Sequence, residues 1–206
     1  MKMKVTSSIE RTAFLIFTCL VCVVPGAMAG NSEEYIRIGI SEKGGAAMGM
    51  KFLPPSGNGW KEKRDGLSVK LEKAQEGGSG EENLEAYMMR PDHPEASLSD
   101  YANIIRNNIE SDIAASKKFK ISELDVVEDP NNSKCVRVHL LLKNLQPGKD
   151  GQVVWKEQYN NSCRLFNYPS IGFEILYSHT YTPQTRNSAF PESARRVLDS
   201  LIIEDR

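Results

Sequence analysis

CVRVHLLLK, residues 135–143, alternates Val136, Val138, Leu140 and Leu142 against Cys135, Arg137, His139 and Lys143, with Leu141 on the second side. A period of two over nine residues, five of them Val or Leu, predicts a strand, and the segments around it repeat the signal. Ile121 to Glu128, Val153 to Tyr159 and Ile171 to Tyr181 are each long enough and apolar enough for strands. Turn residues separate them at Pro130-Asn131-Asn132, at 147–151 and at Asn160-Asn161. Short turns join antiparallel neighbours, so this half of the chain predicts an antiparallel sheet.

Upstream, Ser97 is a predicted N-cap with Asp100 in the first turn. Leu98, Tyr101, Ala102, Ile105, Ile109 and Ile113 then recur at helical spacing, predicting a helix over 98–116 laid on a sheet. Earlier still, residues 35–40 alternate as a strand, 60–64 and 67–71 form a hairpin turning at Asp65-Gly66, and 83–89 are a strand ended by Pro91 and Pro94. Gly44 to Gly49 lacks the Lys-Ser/Thr ending of a phosphate loop and reads as a flexible connection. The acidic run from Glu76 to Glu85 reads as a solvated loop. Near the end, Pro191 suits the first turn of a helix that buries Ala194, Val197, Leu198 and Leu201. The expected class is α+β, an antiparallel sheet flanked by helices.

The first 29 residues form a separate unit. Lys2, Lys4 and Arg11 precede or border an apolar run from Ala13 to Val24, Pro25 breaks it, and Ala27-Met28-Ala29 offers a small-x-small cleavage pattern before Gly30. These features predict a cleavable signal peptide cut between Ala29 and Gly30, and a periplasmic or secreted protein with no stable membrane span after processing. The apolar run is shorter than the roughly 20 residues a spanning helix needs. Cys19 and Cys22 lie within it, but Thr18 and Val21 stand where a lipid-attachment cysteine has a small residue. The expected organisation is a signal peptide at 1–29, a strand and flexible lead-in at 30–49, and a single α+β domain at 50–206.

Removing residues 1–29 leaves 23 basic and 26 acidic residues, a net charge of about −3. That balance gives no electrostatic reason to expect nucleic acid or an anionic membrane as partner. With 40% hydrophobic and 26% charged residues the composition is that of a globular domain with a core of its own. Cys135 and Cys163 remain as a pair, and in an oxidising compartment they are expected to form a disulfide. Their separation of 28 positions resembles no redox or zinc motif.

No G-x-S-x-G elbow, H-E-x-x-H pair, P-loop or EF-hand loop occurs in the sequence. Three histidines stand apart. His93 lies in a loop between Asp92 and Pro94. If the strands at 135–143 and 171–181 direct their apolar sides to one core, His139 and His179 project oppositely and make poor partners for one metal. Catalytic, cofactor and metal residues are therefore all expected to be none.

The hairpin with Trp60 and Leu67-Ser68-Val69, the helix at 97–116, four strands and a closing helix ending at Val197 to Ile203 together resemble the PsbP/DcrB-type, or Mog-like, domains. The resemblance covers residues 50–203 and implies an antiparallel sheet sandwiched between helices. The segment from Cys163 to Ser178 also resembles exported proteobacterial proteins in which a cysteine precedes a strand ending in Tyr-Ser. Members of the family include photosystem accessory subunits, trafficking factors, effector chaperones and toxin immunity proteins, so the resemblance implies a fold and leaves the function open. The leading expectation is a non-enzymatic binding or accessory protein of the bacterial envelope whose partner is another envelope protein, toxin immunity being one form. A small-ligand or metal binder using His139 or the aromatic set Tyr168, Phe173, Tyr177 and Tyr181 is the alternative, those aromatics being more often core. A hydrolase with an unfamiliar site comes third.

Overall fold

The computed structural model describes residues 34–41, 47–74, 80–91, 96–146, 148 and 151–205, all within one compact unit. The signal-peptide reading of 1–29, with Ala29 and Gly30, and the loop reading of His93 lie outside the described residues.

Among the described residues ten strands and two helices follow one another as β1 (Ile36–Ser41), β2 (Ala47–Phe52), β3 (Lys61–Asp65), β4 (Ser68–Ala74), β5 (Glu81–Met89), α1 (Leu98–Ser116), β6 (Phe119–Glu128), β7 (Cys135–Asn144), β8 (Trp155–Arg164), β9 (Gly172–Tyr181), α2 (Phe190–Asp199) and β10 (Ile202–Asp205). Seven strands form one antiparallel sheet in the order β3-β4-β5-β9-β8-β7-β6, and β1-β2-β10 form a second antiparallel sheet. The class is α+β, as the strand and helix patterns predict.

Local signals account for several elements. Ser97 Oγ accepts the backbone N–H of Asp100 at 3.0 Å and starts α1. Gly66 takes φ +53° in the β3-β4 turn, a conformation that costs glycine nothing. Gly39 and Gly49 face each other across β1 and β2, where a Cβ on Gly39 would meet the Met48 carbonyl at 2.2 Å. Only glycine allows the two backbones to approach this closely there.

The seven-stranded sheet has a core on each face. On one face Tyr101 and Ala102 of α1 pack over Val126, Val136, Val138, Leu140 and Leu142. On the other, Phe190, Ala194, Val197 and Leu198 of α2 meet Leu84, Phe173, Ile175 and Tyr177, together with Met50 and Phe52 from the small sheet. Each Val, Leu, Ile, Met or Phe so buried contributes about 1.5–3 kcal/mol, which is why the sheet is held from both sides.

Several expectations change. Residues 47–49 belong to β2 instead of a flexible connection. The acidic run ends in β5, where Glu82 is 5% exposed because Tyr177 and Asn187 donate to its carboxylate. β8 runs through the turn expected at Asn160-Asn161, since both amides find partners: Asn161 donates to Asp129 at 2.6 Å and Asn160 to Glu174 at 3.2 Å. Tertiary hydrogen bonds override the turn preference of asparagine here. The closing helix, expected to run to Ile203, stops at Asp199, and Ile202 and Ile203 begin β10 instead.

Candidate functional site

Cys135 and Cys163 are joined by a disulfide and are directly paired across β7 and β8. Both are fully buried on the α2 side of the sheet. The bridge closes the long β7-β8 excursion, for which chain entropy gives roughly 3–4 kcal/mol.

Next to this bridge the chain holds an aromatic loop in place. Leu165 to Ile171 connects β8 to β9, closed by Leu165 N–H to the Ile171 carbonyl at 3.1 Å and Ile171 N–H to the Tyr168 carbonyl at 2.8 Å. Leu165 is buried in the core, while Phe166 is 62% and Tyr168 37% exposed. Asp205 of β10 latches the loop. Its carboxylate, with a side chain 1% exposed, accepts the backbone N–H groups of Phe166 at 3.0 Å and Asn167 at 3.4 Å. Asn167 Nδ2 returns a hydrogen bond to the Asp205 carbonyl at 3.3 Å. Lys134, the neighbour of Cys135, pairs with Asp205 at 3.2 Å and stands 5.7 Å from the Phe166 ring centroid. Lysine and aspartate thus converge on one exposed phenylalanine, three positions after the bridged Cys163.

The expected aromatic set divides accordingly. Phe173, Tyr177 and Tyr181 are buried in β9, while Tyr168 stands out on the loop. Sequence parity could not separate them, because Tyr168 lies outside the strand. The polar latch had no sequence signal either, since Asp205 sits 39 positions from Phe166.

His139 and His179 share a face, a correction to the expectation that they project oppositely. The premise of one core fails: the apolar side of β7 faces α1, whereas that of β9 faces α2. His139, Tyr159 and Tyr177 are therefore side by side across β7, β8 and β9, with His179 beside Glu157. His139 Nε2 and Glu157 Oε1 are 3.2 Å apart, and the Tyr159 hydroxyl donates to the same oxygen at 3.0 Å. His139 stacks on Tyr159 at 4.4 Å, and Arg186 lies 3.8 Å from the second oxygen. The hydrogen bond from His139 holds the Glu157 carboxyl below the usual carboxylate range.

His179 is fully buried, with different partners. Its Nε2 accepts the Asn187 backbone N–H at 3.1 Å, which leaves the proton on Nδ1 to be donated to the Glu81 carbonyl at 3.3 Å. Burial pushes its pKa below the ordinary histidine value. A neutral imidazole with both nitrogens bonded to main chain is a structural strut. Among the described residues no three His, Cys, Asp or Glu side chains are placed to hold one metal ion. Likewise, no helix among them is long and apolar enough to cross a membrane.

No protein-family model and no curated protein matches the sequence. Among solved structures the chain is similar to the Saccharomyces cerevisiae Ran-binding protein Mog1p, at a TM-score of 0.44 and 11% identity over 84% of this chain and 97% of that one. A mutant of Mog1 matches at a TM-score of 0.43 and 11% identity, over 82% and 97% respectively.

Proposed function

We propose that this chain is an exported, non-enzymatic accessory protein of the bacterial envelope that binds another envelope protein through the Phe166–Tyr168 loop. The observation that carries the reading is the exposed Phe166 ring on a backbone held by Asp205, which Lys134 neutralises, three positions after the bridged Cys163. Scattered exposed apolar residues are normal on any protein. An aromatic carried on a fixed backbone differs, because binding then loses less conformational entropy, and aromatic side chains dominate interface energetics. Export is supported by the leader-like residues 1–29 and by a disulfide suited to an oxidising compartment. Toxin immunity is one form such contact takes.

The test is capture from an envelope fraction with the immobilised, disulfide-intact protein beside its Phe166→Ala/Tyr168→Ala variant. A stoichiometric partner retained by the parent and lost by the folded variant supports the reading. Equal retention by both removes the loop from it.

A further inference from the structure

On the sheet face away from α2, α1 lies over β6 and β7, and a cleft of about 220 Å³ opens between the helix and β8, β9 and the end of β5. Ile105 and Ile109 of α1 and Met89 of β5 give it apolar walls, while Asn160, Ser162 and Glu174 line it from the sheet. An apolar cavity of about 150 Å³ already accommodates benzene, so the space admits a one-ring molecule.

Glu174 determines what kind of molecule. Its carboxylate accepts Asn160 Nδ2 at 3.2 Å and the hydroxyl of Tyr87, its cross-strand neighbour. No cation stands against it among the described residues, and burial pushes its carboxyl above the ordinary range. Arg90 and Asp112 also line the cleft and contribute one charge of each sign. Two neutral donors leave a partly desolvated carboxylate short of a counter-charge. An anion would add a second negative charge beside it. A hard metal ion asks for several oxygen ligands, and among the described residues no three His, Cys, Asp or Glu side chains are placed to hold one.

We propose that this cleft binds a small organic ammonium ion bearing an apolar group, its nitrogen on Glu174 and its apolar part against Ile105, Ile109 and Met89. The site is independent of the Phe166–Tyr168 loop, and neither reading needs the other.

The experiment titrates the disulfide-intact protein with benzylammonium, benzyl alcohol and benzoate in parallel, read by backbone amide NMR. Benzylammonium is expected to shift the amides of Ile105, Ile109, Asn160 and Glu174 saturably and to bind at least tenfold tighter than the alcohol, with benzoate weaker than both. Glu174→Gln should weaken benzylammonium tenfold or more and leave the alcohol unchanged. Asn108→Trp, an exposed helix position on the cleft, should block both without touching the core; it carries the test if the glutamine variant does not fold. Equal binding of amine and alcohol, shifts confined to other surfaces, no saturable shift in the millimolar range, or binding unaffected by Asn108→Trp would overturn the proposal.

Discussion

Asp205 accepts the backbone N–H of Phe166 at 3.0 Å, so the last strand of the chain fixes the conformation of a loop 39 positions earlier. The same carboxylate neutralises Lys134, and β10 is itself held by β2. Losing the Asp205 carboxylate would leave a partly buried lysine and two amide donors without their acceptor. Asp205→Ala is expected to destabilise the protein by about 1–3 kcal/mol. It should also accelerate hydrogen exchange at the Phe166 and Asn167 amides selectively. Urea unfolding and native-state exchange measure the two effects, and unchanged exchange at those amides would refute the latch.

The bridge between Cys135 and Cys163 ties β7 to β8 just before the same loop. Cys135→Ser/Cys163→Ser should lower stability by roughly 3–4 kcal/mol, most of it through the unfolded chain. The loss should appear as a lower urea midpoint. A midpoint identical to that of the oxidised parent would contradict the assignment of a stabilising role.

How far the sequence reveals this arrangement depends on how local each cause is. The Ser97 cap, the Asp65-Gly66 turn and the alternation of 135–143 act within a few residues and are legible. Asn160 and Asn161 are misread as a turn because their partners, Glu174 and Asp129, come from elsewhere in the fold. Ile202 and Ile203 are misread as the tail of a helix because they become a strand only by pairing with β2. His139 and His179 are placed on opposite faces because parity orders residues within a strand but cannot say which face of the sheet α1 and α2 will cover.

His179 makes stability depend on pH with a definite sign. Its folded pKa lies below the unfolded value near 6.5, so below that pH the unfolded chain binds the proton more readily. This contribution is therefore complete above about pH 6.5 and is lost as pH falls toward the folded pKa. Protonation would also oblige Nε2 to give up the Asn187 N–H. Relative to His179→Gln, the parent should lose stability on going from pH 8 to pH 5.5; urea unfolding of both at the two pH values provides the check, and a constant difference would exclude a titrating His179.

Arg106 ties α1 to the edge of the sheet, donating to the carbonyls of Leu124 at 3.4 Å and Val126 at 3.3 Å on the terminal strand β6. An edge strand released from such a contact is a template for pairing with another chain. Arg106→Ala should cost about 1 kcal/mol and raise the oligomer fraction at high concentration, as read by light scattering. A variant as monodisperse as the parent would argue against edge protection.

The most direct test of the binding account places a photo-crosslinking side chain at Tyr168 and, as a control, at Lys61 on the charged outer strand β3, in cells producing the protein. The account predicts one discrete crosslinked envelope species from position 168 and none from position 61. The same species from both positions, or none from position 168 in folded protein, would contradict it.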